Sequence, residues 1–380
     1  MIDRPESGPN HRACVAFLLY AAVILAGRVI DPQTRNGPRI VDNPVDPVPR
    51  DGRGLDVTLT EELRIGDDPS SGDSRFAVLR TVLADERGNI IAFDSREVCF
   101  KIFDGQGRFV GRFGRQGQGP DEISRPMGIM LSKDGRIAVL DSGNNRLAYY
   151  ALDGTCVERW PLKTVRPMIP VLDGRGRITG TVLSFAVKPR AELVRFTRGL
   201  DAEKTLATIV LPKENEIPPA ELMERFIYQI RADDSIVWAD NFRYELNVAD
   251  SDGNPTLRAS RAAKPKKLTR ELLIEEGKKR YPGTSVPDAF RIPAHYPASF
   301  PFFEAFVCDD EGRIFVRTFE AVGTGKVRYD VFDASGLYVA RFEIPDEEDI
   351  AAIKGGRAYI LVKEDEKGTP IIKRCKLSLK

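Results

Sequence analysis

The side chains best equipped to hold a ligand are guanidinium, amide and imidazole groups: Arg80, Arg96, Arg125, Arg231, Asn241, Arg243 and His295. Histidine occurs only twice in 380 residues, at His11 and His295. His11 borders an apolar N-terminal run, which leaves His295 for the folded part. A three-histidine metal site within one chain is therefore excluded, and a Ser-His-Asp mechanism would have to run through His295. In His295-Tyr296-Pro297 the imidazole is either a packing residue of a proline-rich stretch or a general base, if that stretch folds over a site. Of five cysteines, Cys14 starts the apolar run. Cys99, Cys156, Cys308 and Cys375 are each more than 50 residues from the next, and no CxxC is present. They read as small buried side chains in strands, with a single disulfide as the alternative.

Charge narrows the partners. Lys and Arg total 57 against 56 Asp and Glu, a net charge of +1. Sequence-independent nucleic-acid binding and polybasic membrane binding both need a large excess of positive charge, so neither is expected. Three guanidinium groups near one site, Arg80, Arg125 and Arg231, would instead need an anion or carboxylate partner.

The elements that must position these groups are preceded by segments that are not fold. Ala13 to Gly27 is an uncharged run of 15 residues between Arg12 and Arg28, shorter than the roughly 20 a spanning helix needs. Residues 1–30 read as a signal peptide or a membrane anchor, with a buried helix as the remaining possibility, which implies an extracytoplasmic protein, periplasmic or secreted. Residues 31–54 hold five prolines and read as an extended linker.

From residue 55 onward a turn followed by a short apolar strand recurs in six copies: Gly88-Asn89-Ile90, Gly135-Arg136-Ile137, Gly176-Arg177-Ile178, Asp234-Ser235-Ile236, Gly312-Arg313-Ile314 and Gly356-Arg357-Ala358. Acidic residues such as Asp85, Asp134, Asp173 and Asp309 precede most of them, closing the turn while glycine supplies the positive φ. Runs such as IIAF at Ile90 and IAVL at Ile137 read as strands buried on both faces. A second hairpin follows in the clearer copies, as in FKIFDGQGRFVGRF from Phe100 and YDVFDASGLYVARF from Tyr329, with weaker versions from Leu246 and Val362. Four strands per repeat and six repeats predict an all-β, six-bladed propeller over residues 55–380. The last copy has room for three strands only, so the stretch Asp56 to Ile65 is expected to pair into it and close the ring. An insertion, 263–301, lies between the fourth and fifth blades. Within it Thr269 is the expected N-cap of a helix over Arg270 to Arg280, with Leu268 stapling onto Leu273. Arg261 to Arg280 holds eight basic and three acidic residues, which reads as a solvated lid or as a contact for an acidic partner. Pro218-Pro219 introduces a further short insertion.

Gly114 to Gly154, GRQGQGPDEISRPMGIMLSKDGRIAVLDSGNNRLAYYALDG, resembles an NHL-type repeat. The matching positions are Gly117, Gly119, Pro120, Pro126, Gly128, Ile129, Gly135, Ile137, Val139, Asp141, Asn144, Arg146 and Leu147. The whole chain is similar to bacterial exported six-bladed propeller proteins of unassigned function. The glycines of GRQGQGP are not a phosphate cradle, because a strand and not a helix follows them. The resemblance implies binding at a channel mouth built from inter-blade loops, where Arg96, Arg125, Asp141, Asn144, Arg146, Asp240, Asn241, Arg243 and His295 would lie. Inner strands add Arg80, Gln229, Arg231 and Glu304. Asp141 and Arg146 are read first as a tie between neighbouring blades. The expected function is a ligand- or protein-binding scaffold, monomeric, without a cofactor, whose partner is a protein or a small anionic ligand. The alternative is a metal-assisted hydrolase or lactonase with Ca2+ or another divalent ion held by Glu304, Gln229 and Asn241.

Overall fold

Each repeat is a hairpin of hairpins, and its first turn shows why. Asp85 accepts the N–H groups of Arg87 (2.9 Å) and Asn89 (2.8 Å) on Oδ1. Asp173 does the same for Arg175 and Arg177, and Asp309 for Glu311 and Arg313. The glycine at the fourth position, Gly88, Gly176 or Gly312, has φ between +76° and +81°, the left-handed region that glycine enters without steric cost. The chain reverses and the next strand pairs back on the first. In a computed structural model, which describes residues 37–48, 55–66, 72–185, 188–211, 222–280, 297–363 and 368–380, these units form six sheets.

The blades run in chain order. Blade 1 spans Leu79 to Phe113, blade 2 Pro126 to Pro161, blade 3 Met168 to Val210, blade 4 Phe226 to Arg261, and blade 5 Phe303 to Pro345. Blade 6 takes three strands from Glu348 to Leu379 and its fourth from Val57–Ile65, which pairs antiparallel with Ile371–Leu379. The ring is thus closed by the N-terminal strand, as the repeat count predicted. Neighbouring inner strands contact one another around a central channel. All six run from a face made of inter-blade loops, here the loop face, to a face made of the first turns, the turn face.

Cores lie between blades. One cluster joins blades 1 and 2 through Ile91, Phe100, Ile123, Val139 and Tyr150, and equivalent clusters fill the other five seams. Ile90–Asp94 and Ile137–Asp141 are buried at every position, whereas the outer strand Phe109–Phe113 alternates. Each buried Ile, Val or Phe contributes about 1.5–3 kcal/mol. Gly128 permits the inner strands of blades 2 and 3 to meet, since a Cβ there would lie 2.2 Å from the Pro170 ring.

Two features lie outside the four-strand scheme. Within the stretch expected to be linker, Arg39–Asn43 is a strand. It pairs in parallel with the outer strand Pro255–Arg261 and makes blade 4 five-stranded. Past it, Val48 N–H bonds the Tyr338 carbonyl of blade 5 at 2.8 Å. The N-terminal segment therefore runs along the outer edges of blades 4, 5 and 6 in turn. The second feature is α1, Arg270–Arg280, at the predicted place. Thr269 Oγ1 accepts the Leu272 N–H (3.3 Å), and Leu268 and Leu273 share a small apolar cluster with Leu222, Phe300 and Phe319. The insertion is thus docked by its own core. Ala13–Gly27, Pro218-Pro219 and His295 lie outside the described residues. Among the described residues no helix is long and apolar enough to cross a membrane.

Candidate functional site

Most side chains expected at the channel mouth lie on the loop face, and several are committed to the fold. Asp141, fully buried, accepts the N–H groups of Ser124 (3.2 Å) and Arg125 (2.9 Å) and the Asn144 amide (2.7 Å). Asn144 and Arg146 donate to carbonyls of the Gly117–Glu122 loop, and Arg146 stands 3.9 Å from Asp141. This cluster ties blade 1 to blade 2. Asn241 does the same in blade 4: 1% exposed, it accepts from Arg225 N–H (2.9 Å) and donates to the Met223 carbonyl (3.2 Å). Its amide is consumed by backbone. Arg80, Arg96, Arg125 and Arg243 are exposed, with Arg243 3.4 Å from Asp240. Glu304 pairs with Arg317, which also reaches Asp349 at 2.6 Å. Gln229 is half-buried on the inner strand of blade 4.

Two loop-face details carry chemistry of their own. Glu224 and Asp240 share a hydrogen bond between carboxyl groups; burial, that bond and the charge of Asp240 push Glu224 up to about 7. Ile169, on the inner strand of blade 3, has φ +50° and is 60% exposed. A β-branched residue in that region is strained, and the Tyr228 hydroxyl, within 2.8 Å of both the Met168 and Ile169 carbonyls, holds it there.

Arg231 does not join Arg80 and Arg125. It follows the last residue of its inner strand, so it lies at the turn face. Five strand residues separate the two ends by roughly 17 Å, so the three guanidinium groups do not converge. What stands around Arg231 is a cavity of about 650 Å³ to which all six blades contribute. Its inner wall is a ring of equivalent residues near the ends of the inner strands: Ala84, Leu131, Leu172, Ile230, Cys308 and Ile353. Each is paired across its hairpin with an apolar residue at or next to the start of the following strand, Ile90, Ile137, Ile178, Ile236, Ile314 or Ala358.

Above this wall comes a rim of charges, nearly all neutralised. Lys133 meets Asp234 at 3.0 Å; Lys354 meets Glu86 at 2.6 Å and Asp310 at 2.8 Å; Arg136 meets Asp134 at 2.5 Å. Arg231 is 8% exposed, and its Nε and Nη2 make no hydrogen bond among the described residues. Burial pushes the neighbouring Cys308 thiol up to about 12, against a smaller opposite pull from Arg231. Cys99, Cys156, Cys308 and Cys375 are free thiols, each on a strand. Among the described residues no group of three or more His, Cys, Asp or Glu side chains is placed to hold a metal ion. The turn face was missed because the phase of the repeat locates the inner strands but not which end of each carries the ligand groups. A signal was present, namely an arginine where other copies have an acid or serine.

Comparison with known proteins agrees with this architecture. A family model, DUF5128, described as a 6-bladed beta-propeller, matches residues 79–166. A member of the duf4221 family from Bacteroides vulgatus is similar in structure, with a TM-score of 0.55 and 11% identity over 86% of this chain and 99% of that one. A protein from Bacteroides fragilis, designated as exported, superposes with a TM-score of 0.52 and 10% identity, covering 90% of this chain and 99% of that one. No curated protein matches the sequence. Identities this low speak to fold alone, and on fold the sheets, the matched blades and the two similar structures agree: the chain is a six-bladed β-propeller.

Proposed function

We propose that the protein is a binding scaffold that works outside the cytoplasm, with its ligand site in the turn-face cavity. The observation that carries this reading is the cavity itself. At about 650 Å³ it falls within the roughly 300–1,000 Å³ of small-molecule sites, and it combines an apolar inner ring with a rim of charged side chains that could orient a ligand. Among the described residues of its lining, the one thiol, Cys308, is held protonated. The nucleophile of cysteine chemistry is the thiolate, and Cys308, pushed up to about 12, is a thiol at neutral pH. Export is supported by the Ala13–Gly27 run between Arg12 and Arg28.

The test is saturation-transfer NMR on the full chain with small carboxylates, alcohols and amines, repeated on Ala84→Phe, which fills the apolar ring. We expect at least one class to receive saturation from the wild type and to lose it in the filled variant. Transfer that persists unchanged in Ala84→Phe would place the site elsewhere, and no transfer from any class would overturn the small-ligand reading.

A further inference from the structure

The turn face is a repeat broken at one point. In blades 1 to 5 the residue after the inner strand is Asp85, Ser132, Asp173, Arg231 and Asp309. All five share one backbone frame, in which the N–H of that residue bonds the carbonyl four residues on: Asn89, Arg136, Arg177, Ser235 and Arg313. In four of the five the side chain is an acceptor that takes the N–H of that fourth residue and so closes the turn. A guanidinium has no acceptor. Blade 4 recruits Asp233 instead, whose Oδ1 accepts the Ser235 N–H at 3.0 Å and its hydroxyl at 2.6 Å. In the position where the other turns carry glycine, blade 4 has Asp234 at φ +64°, a conformation costly for a residue with a Cβ.

Two local rules are therefore set aside in one turn, which is what functional sites do. Asp234 has a visible return, since its Oδ1 accepts Gly174 N–H at 2.7 Å and meets Lys133. Arg231 gains less: among the described residues only the charge of Asp233 and the Cys308 thiol act on it. The acids around the cavity are already engaged: Asp234 with Lys133, Glu86 and Asp310 with Lys354, Asp134 with Arg136, and Asp85 and Asp309 with turn amides. What remains is one buried guanidinium edge, Nε and Nη2, without a hydrogen bond and beside the apolar ring of the cavity. An unpaired buried cation is among the costliest groups a fold can hold.

We propose that Arg231 anchors a small organic carboxylate with an apolar body. The carboxylate accepts two parallel hydrogen bonds from Nε and Nη2, and the body lies on the ring of Ala84, Leu131, Leu172, Ile230, Cys308 and Ile353. One buried guanidinium edge without a hydrogen bond matches one carboxylate. Inorganic phosphate fits poorly, because Lys133, Arg136 and Lys354 around the cavity are already paired with acids and its second charge would go uncompensated. This assignment rests on the reading of the cavity as the binding site.

Titration calorimetry with hexanoate, hexan-1-ol and inorganic phosphate tests it on the full chain. We expect saturable binding of hexanoate alone, at least tenfold weaker in Arg231→Gln, with Arg231→Lys intermediate because it keeps the charge and loses the fork. Without ligand, Arg231→Gln should melt at or above the wild-type temperature, whereas removal of a structural arginine would lower it. Hexanol binding as well as hexanoate, or hexanoate binding unchanged in Arg231→Gln, overturns the anion assignment and leaves the cavity reading standing. Phosphate binding without hexanoate overturns the apolar body. If no probe binds and Ala84→Phe matches the wild type in the NMR panel, the cavity reading falls and this one falls with it.

Discussion

Single side chains in this protein divide into those that satisfy the fold and those that strain it, and buried charge separates the two. Asp330, fully buried, accepts from the hydroxyls of Tyr244 and Tyr338 (2.6 Å for the latter), from Arg261 Nη1 (2.6 Å) and from Arg341 Nε (3.3 Å). Arg261 in turn lies over both rings, at 5.1 and 4.9 Å. Asp330→Asn leaves that guanidinium undercompensated, so urea unfolding should show a loss of about 3–5 kcal/mol. Glu224 behaves in the opposite sense. Burial and Asp240 raise its carboxyl from an ordinary 4.5 to about 7, so in this window the folded chain holds a proton that the unfolded chain has released. Its contribution to stability is full below about pH 4.5 and is lost as the pH rises to about 7. Melts of Glu224→Gln between pH 5 and 8 should show a flatter profile than the wild type and greater stability at pH 8; identical slopes would refute the shift. Both carboxylates are plain in the sequence. Their roles are not, because burial and neighbours from other blades decide them.

At the scale of elements, local signals were strong wherever a turn and its strands are contiguous. The glycine turns mark the strands, and Thr269 marks α1; Thr269→Ala should cost about 1 kcal/mol, read as local loss of amide protection over Arg270–Arg280 in hydrogen exchange. The strand Arg39–Asn43 was not legible, since RIVDN sits among prolines and its partner, Pro255–Arg261, is parallel and more than 200 residues away. Nothing local specifies such a pairing. It is specified by Asn43, whose Nδ2 donates to the carbonyls of Ser260 and Gly336 (2.9 Å each) and whose Oδ1 accepts the Tyr338 N–H (2.8 Å). Asn43→Ala leaves these groups unsatisfied at the seam of blades 4 and 5, with an expected cost of about 2–3 kcal/mol in chemical denaturation. The turn-face site was half legible for a related reason. Arg231 stands out by type, but only the register of six inner strands shows which end of the channel it occupies.

For the whole molecule, the count of strands in the last copy was enough to predict closure through Asp56 to Ile65, because an open ring would leave two sheet edges bare. Truncation before Ile371 removes the partner of Val57–Ile65 and leaves blade 6 with two strands. The expected outcome is loss of the single cooperative unfolding transition, monitored by far-UV circular dichroism, whereas Asn43→Ala should weaken that transition and keep it single. The closing pair also sets the order of events in time. Val57–Ile65 is made more than 300 residues before its partner, Ile371–Leu379. Loop closure over that distance is only logarithmically costly at equilibrium, but it is slow to find. Until that partner is made, the chain carries an unpaired nine-residue strand that other chains can capture. Blade 6 therefore closes in one late event, the docking of Ile371–Leu379, and the yield of folded protein depends on how long Val57–Ile65 waits.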